Sequence, residues 1–189
     1  DKYPVTVLGR VFAALVMLTG MIIISLLSGT IASIYVDRKI QEGKGLQDLN
    51  ERNHVLICGW NNSAEGILEN LVNMQNNIKN TVVLINEMLP EAFAEVKSRF
   101  PSLQIKFVRG DFTNENILKR GSATQAGSAI LIPDFSGNRT QENSDERTIL
   151  AVLTLKSINP DIVTCAEVVN PENQQHLLRA GVDNTLVKG

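Results

Sequence analysis

The residues with the clearest chemical potential form one run, Gly59-Trp60-Asn61-Asn62-Ser63-Ala64, which follows the apolar stretch Val55-Leu56-Ile57-Cys58 and opens an amphipathic segment. A glycine turn that leads from a strand into a helix is a phosphate-binding arrangement. The first glycine makes the tight turn, a second lets backbone N–H groups approach the pyrophosphate, a third lets helix and strand pack closely, and the helix N-terminus favours anions. Here Gly59 keeps the first position, while Asn61 and Ala64 replace the second and third. Glu87 ends the next apolar run, where a carboxylate about 20 residues further on would hydrogen-bond a ribose. Gly59, Asn61, Asn62, Ser63 and Glu87 would then form a nucleotide-type site. The alternative is a site that binds nothing, in which Ser63 caps the helix and Glu87 is a solvated strand end.

Three more segments place polar groups just after apolar runs. Asp111, in Val108-Arg109-Gly110-Asp111, would meet an adenine edge or cap the following helix. The loop from Pro133 carries Asp134 and one cation, Arg139, which would reach phosphate. Glu167 would either join other carboxylates around a hard cation such as Ca²⁺ or stand as a solvated strand end. Catalysis requires a positioned acid or base, yet beyond residue 45 there is no Tyr, and His54 and His176 fall at a strand start and on a late helix. A membrane-tethered nicotinamide dehydrogenase is therefore disfavoured, and the chain is read as a non-enzyme. Cys58 and Cys165 lie far apart in apolar runs, which fits neither a disulfide framework nor a zinc site and agrees with a reducing compartment.

Short apolar runs alternating with amphipathic stretches must position these groups. The rhythm predicts strands at 54–58, 81–86, 104–108, 128–132, 161–166 and 184–187, with helices at 63–75, 89–99, 114–120, 143–157 and 171–180. Runs such as Val82-Val83-Leu84-Ile85 are apolar at every position, so both faces of the sheet should be covered, as in a parallel sheet with helices on each side. The fold class is α/β, a doubly wound parallel sheet of Rossmann type over residues 46–189, preceded by a single transmembrane helix.

That helix is read from residues 11–36, which contain no Asp, Glu, Lys, Arg or His. At 1.5 Å per residue the run is roughly 39 Å long, enough to cross a hydrocarbon core of about 30 Å with some tilt. Arg10 precedes it, Tyr35 sits at an interfacial position, and Asp37, Arg38 and Lys39 follow. The alternative, a secretory signal, would be shorter and would end in a small-residue cleavage site. With its flanks the helix spans about residues 8–38 of an N-terminal unit, 1–45, and a polar linker at 41–53 follows. Ser25, Gly29 and Ser33 recur every four residues, a spacing that lets membrane helices approach closely, and Gly20 marks a position where a helix can bend. The formal net charge of −2 offers no basic field for a polyanion, which argues against nucleic-acid binding.

Taken in order, these segments resemble a family: prokaryotic ligand-gated potassium channels whose inner pore helix continues into a cytosolic RCK (regulator of K⁺ conductance, TrkA-N-like) domain. Asp1-Lys2-Tyr3-Pro4 is similar to the segment just after a selectivity filter, and Leu15 to Met21 to the inner helix around its gating-hinge glycine, here Gly20. His54-Val55-Leu56-Ile57-Cys58-Gly59-Trp60, Phe107-Val108-Arg109-Gly110-Asp111-Phe112-Thr113 and Leu178-Arg179-Ala180-Gly181-Val182-Asp183 are similar to characteristic RCK segments. The resemblance implies a pore-forming subunit of a homotetramer that conducts K⁺, multi-pass in the lipid bilayer of the cell (inner) membrane, with its Rossmann domain cytoplasmic in a gating ring of eight RCK domains. It implies a ligand, a nucleotide (NAD, ADP or ATP) or Ca²⁺, and carries the nucleotide positions over to Gly59, Asn61, Glu87 and Asp111. Glu167 corresponds to one ligand of a family calcium site, whose neighbouring ligand positions fall on Pro133 and Val169. It also implies that a filter, an outer helix and a second lobe belong to a longer chain. A second reading is the regulatory RCK domain of another cation transporter or antiporter.

Overall fold

Strand burial follows directly from the unbroken apolar runs: β1 (Val55–Cys58) and β2 (Val82–Asn86) are buried at every position. The structure, a computed structural model, describes residues 4–74, 81–134 and 143–187. With β3 (Ile105–Arg109), β4 (Ser128–Leu131), β5 (Val163–Val168) and β6 (Asn184–Val187), they form one parallel sheet in the order β3-β2-β1-β4-β5-β6. That is the doubly wound order, with its switch point between β1 and β4. The register sets Val55 beside Val82 on one side and Ser128 on the other.

Alternate residues of each strand feed two separate cores. Val55, Ile57, Leu84 and Phe107 pack with Ala64 and Leu68 of α2 (Asn62–Met74) and Phe93 and Val96 of α3 (Pro90–Arg99). Phe93 stacks on Phe107 with ring centroids 4.7 Å apart. Leu56, Cys58, Val83 and Val108 pack on the other face with Leu118 of α4 (Glu115–Arg120), Ala151, Val152 and Leu155 of α5 (Ser144–Ile158) and Leu177 of α6 (Gln174–Arg179). Fully burying a Leu or Phe contributes about 1.5–3 kcal/mol relative to exposure, so these two layers hold the sheet in place.

The expected doubly wound sheet is observed, with three local corrections. Pro160 and Asp161 lie in the turn after α5, so β5 begins at Val163 rather than 161 and takes Glu167 into the strand. The helix expected at 171–180 is a 3₁₀ turn, Pro171–Asn173, followed by α6. The first helix, α1, spans Val7–Lys44, well beyond residue 38 and into the expected linker. Its stop is Gly45 at φ +67°: Leu46 N–H donates to Gln41 O at 3.1 Å and Gly45 N–H to Glu42 O at 3.2 Å, the paired bonds of a Schellman cap that requires a left-handed residue.

Residues 1–40 and 41–189 form two compact units. In the first, α1 is exposed along its length, with mean hydropathy 2.5 over its most apolar stretch, and is long and apolar enough to cross a membrane. Its hydroxyls bond to their own helix, Thr19 to Leu15 O at 2.9 Å, Ser25 to Met21 O at 2.8 Å and Thr30 to Leu26 O at 2.8 Å. Each is satisfied without water or a partner helix. In the second unit, residues 45–53 are fastened to the domain edge. Gly45 O accepts from Arg109 N–H at 2.8 Å and from the Arg120 guanidinium at 2.9 Å, and Leu49 N–H donates to Arg120 O at 2.8 Å. Ser122, left-handed at φ +58°, donates its hydroxyl to Leu49 O at 2.5 Å.

Candidate functional site

The site lies at the carboxyl ends of β1, β2, β3 and β5, where open parallel sheets bind ligands. Gly59 turns the chain out of β1 at φ +92°, and a Cβ there would lie 2.1 Å from Ile132 O and 3.4 Å from Asp134 Cβ. Only glycine lets β1 and the exit of β4 approach so closely. Next in sequence, Asn61 is buried and accepts Ser63 N–H on Oδ1 at 2.8 Å. Asn61, not Ser63, is therefore the cap of α2. Ser63, the cap expected from the sequence, instead lies inside the first turn of α2. Asn62 is exposed on the first turn and Ser63 is half-buried.

Because Glu167 lies within β5, it is not a solvated strand end. It is buried, and its carboxylate accepts Ser63 Oγ–H and Asn61 Nδ2–H, each at 3.4 Å. Ser63 and Glu167 line the polar end of a cavity of about 340 Å³ that continues over Ile67, Ile130, Ile132, Cys165 and Leu186. Among the described residues no three His, Cys, Asp or Glu side chains gather to hold a metal ion; Pro133 and Val169, at the other family positions, offer no carboxylate.

Asp111 neither caps α4 nor stands open. Asn114 is the cap, accepting from Asn116 N–H at 2.9 Å. Asp111 Oδ1 accepts Thr113 N–H at 2.9 Å and Thr113 Oγ at 2.7 Å, and both its oxygens receive the Arg147 guanidinium, at 2.9 and 3.1 Å. Burial pushes the Asp111 carboxyl up, but the Thr113 hydrogen bonds and the Arg147 charge outweigh it and hold the group below its ordinary range. Arg147, on α5, also lies over the Phe112 ring, 5.1 Å from its centroid. Sequence reasoning missed Arg147 because its partner is remote in the chain and nothing in their spacing links them.

A second missed residue is Asn86, the last of β2. It is fully buried, its Oδ1 accepts Met88 N–H at 3.1 Å, and its Nδ2 has no hydrogen-bond partner. Glu87, one residue beyond the strand, is half-buried and makes an interaction of its own. Asp134 is buried beside Gly59 and also engaged. Arg139 lies outside the described residues.

Asp145, absent from the sequence reading, organises the β5–α6 connection: its buried carboxylate accepts Val169 N–H, Asn170 N–H and Asn173 Nδ2–H, all at 2.9 Å. Neither cysteine is an activated nucleophile. Complete burial pushes the Cys58 thiol up to about 12, and burial also raises Cys165.

The family described as the TrkA-N domain matches residues 55–188. Over its whole length the chain is similar to the calcium-gated potassium channel TvoK of Thermoplasma volcanium, at 28% identity over 190 residues, covering 100% of this chain and 51% of that protein. It is also similar to potassium channel protein 1 of Methanocaldococcus jannaschii, at 25% identity over 191 residues, covering 98% of this chain and 53% of that protein. The chain thus spans about half the length of the curated relatives it matches. Among solved structures, the GsuK channel bound to NAD shares the fold with a TM-score of 0.71 at 19% identity, over 98% of this chain and 32% of that one. GsuK bound to ADP gives 0.70 at 19% identity, over 99% of this chain and 46% of that one.

Proposed function

The chain belongs to the TrkA-N domain family, and from that membership we propose that it is the pore-lining and ligand-sensing part of a potassium channel subunit. The observation that carries this reading is the continuity of the likeness: potassium channels match this chain across α1 and the Rossmann domain together. A detached regulatory domain of a transporter would have no reason to match across the apolar helix. The subunit assembles as a homotetramer in the cell (inner) membrane, K⁺ is the permeant ion, and the Rossmann domains lie in the cytoplasm as part of a ring of eight.

The cleft takes a nucleotide rather than performing chemistry. Gly59 and the start of α2 offer a turn and helix terminus suited to phosphate, while Asp111 is tied into a bidentate ion pair and Glu167 into hydrogen bonds. Neither is placed as a free acid or base. The names of the solved relatives, which include NAD and ADP complexes, favour a nucleotide; the name of TvoK keeps Ca²⁺ as the second candidate, with Glu167 its most plausible ligand here.

Transmission runs through the end of β3 and its hydrogen bond to the exit of α1. Asp111 lies two residues beyond the last residue of β3, Arg109, which holds Gly45 O through its N–H. A ligand that shifts the end of β3 therefore shifts the exit of α1, and it biases the gate to the extent that its affinity differs between open and closed geometries. Gly20 is the proposed hinge.

The test is K⁺ flux from liposomes containing the intact subunit, with ADP, NAD and Ca²⁺ titrated separately. Nucleotide-dependent flux is the expected result. Flux dependent on Ca²⁺ alone would replace the nucleotide by the cation, and no K⁺ flux under any condition would overturn the channel reading.

A further inference from the structure

The ribose end of the cleft carries an unusual pair. In sheets of this type a carboxylate at the end of the second strand accepts the hydroxyls of an unmodified ribose, and a nearby arginine accommodates a ribose phosphate instead. Here β2 ends in Asn86, a neutral amide, and its register partner at the end of β3 is Arg109. Leu84 and Phe107 belong to the same core beneath α2 and α3. The period-two alternation of strands carries Asn86 and Arg109, each two residues further on, to that same face.

Both groups are unspent. The Asn86 Nδ2 donor is buried without a partner, and a donor in that position is expensive to leave unmade. Arg109 is exposed, and its guanidinium makes no ion pair among the described residues, whereas Arg99, Arg120 and Arg147 each contact a carboxylate. Glu87, the carboxylate that sequence reasoning assigned to the ribose, lies outside the strand and is already engaged.

We propose that this end of the cleft selects an adenine nucleotide whose ribose carries a phosphate monoester, with Arg109 receiving the phosphate and the buried, neutral Asn86 beside it removing the carboxylate that would repel it. The inference rests on the nucleotide reading above and names the nucleotide class. A dianionic phosphate beside a guanidinium forms bidentate, charge-assisted hydrogen bonds, whereas a carboxylate at position 86 would repel it. The 2′- and 3′-phosphates share this chemistry, and the experiment separates them.

Isothermal titration of the full chain in detergent with 5′-ADP, 2′,5′-ADP, 3′,5′-ADP, NAD and NADP tests it. At least one ribose-phosphorylated ligand should bind about tenfold or more tightly than its unphosphorylated counterpart. Arg109→Ala, at an exposed position, should remove that advantage, so that each ribose-phosphorylated ligand binds no more tightly than its unphosphorylated counterpart. Asn86→Asp should reverse the preference, with far-UV circular dichroism confirming that each variant is folded. Equal or tighter binding of 5′-ADP and NAD overturns this proposal and leaves the nucleotide site standing. An advantage that survives Arg109→Ala also overturns it. If none of the five ligands binds, the nucleotide reading itself fails and this inference with it.

Discussion

Arg147 grips both carboxylate oxygens of Asp111 at 2.9 and 3.1 Å, tying the start of α5 to the loop that leaves β3. The pair joins the two halves of the fold, since α5 follows β4 and Asp111 follows β3. It also makes Asp111 a preset group. A ligand reaching it meets a carboxylate already oriented by Thr113 and partly neutralised by a guanidinium.

Arg147→Ala should therefore weaken the domain. Removing two charge-assisted hydrogen bonds and the contact over Phe112 should lower stability by about 1–2 kcal/mol after allowance for the half-exposed setting of Asp111. Because the folded-state pKa of Asp111 is depressed, its contribution is complete above the ordinary carboxylate range, near pH 4, and fades as pH falls below that. Urea unfolding at pH 7 and pH 3 should show the difference between wild type and variant shrinking at the lower pH; a constant difference would mean that the ion pair is not its source.

Asp183 offers a second acid window, far from the cleft. Its carboxyl is held down to about 2 by hydrogen bonds from Lys156 Nζ and from Thr164 N–H and Oγ. Asp183 joins the start of β6 to β5 and to α5. As its pKa is lowered, the stabilisation is full above about pH 4 and is lost as pH falls towards 2. Solvent screening keeps its size below about 1 kcal/mol. Melting temperatures of wild type and Asp183→Asn, compared from pH 6 to pH 2, should converge at the acid end.

His54 runs the opposite way from a surface histidine. Burial lowers its pKa, outweighing the Gly121 carbonyl and Glu51, which raise it, while Lys106 lowers it further. Its Nε2 lies 3.0 Å from Gly121 O, its Nδ1 is buried without a partner, and Glu51 and Lys106 form an ion pair nearby. A proton thus favours the unfolded chain. Stability should be complete above about pH 6.5 and decline as pH falls through the interval between the unfolded and folded values. His54→Gln should flatten that decline in a thermal-unfolding series from pH 7.5 to 5; an unchanged slope would assign it to other groups.

The parts of this molecule legible in its sequence are those whose cause is local. Val82-Val83-Leu84-Ile85 is apolar at every position because both faces of β2 are covered, and residues 11–36 are uncharged along a helix exposed at every turn. Legibility ended where the cause was a distant partner. Ser63 reads as the cap in sequence, and only the structure shows Asn61 in that role. A two-residue shift in β5 changed Glu167 from a strand-end group to a buried one. Arg147, Asp145 and the orphaned Asn86 become visible only when the sheet brings their surroundings together, since propensity and spacing carry no trace of a contact made across the fold.

Two glycines differ in what a Cβ would meet. A Cβ on Gly59 would lie 2.1 Å from a backbone carbonyl, Ile132 O, at φ +92°. No rotamer change relieves a clash with backbone, so Gly59→Ala should lower stability by about 3 kcal/mol or more and abolish nucleotide binding with it. Gly20 is the converse: a Cβ there meets nothing within 4 Å, and α1 runs without interruption through it. Gly20→Ala should leave the folding of the Rossmann domain untouched and should stiffen the helix, since alanine is favoured over glycine by about 1 kcal/mol in a helix interior. If Gly20 is where the pore helix bends, single-channel recordings of the intact subunit should show open probability reduced severalfold at saturating ligand, with half-saturation shifted towards the affinity of the closed geometry. An unchanged open probability would place the bend elsewhere on α1, while an open probability that falls with no shift in half-saturation would mean that the ligand does not act on the gate through α1.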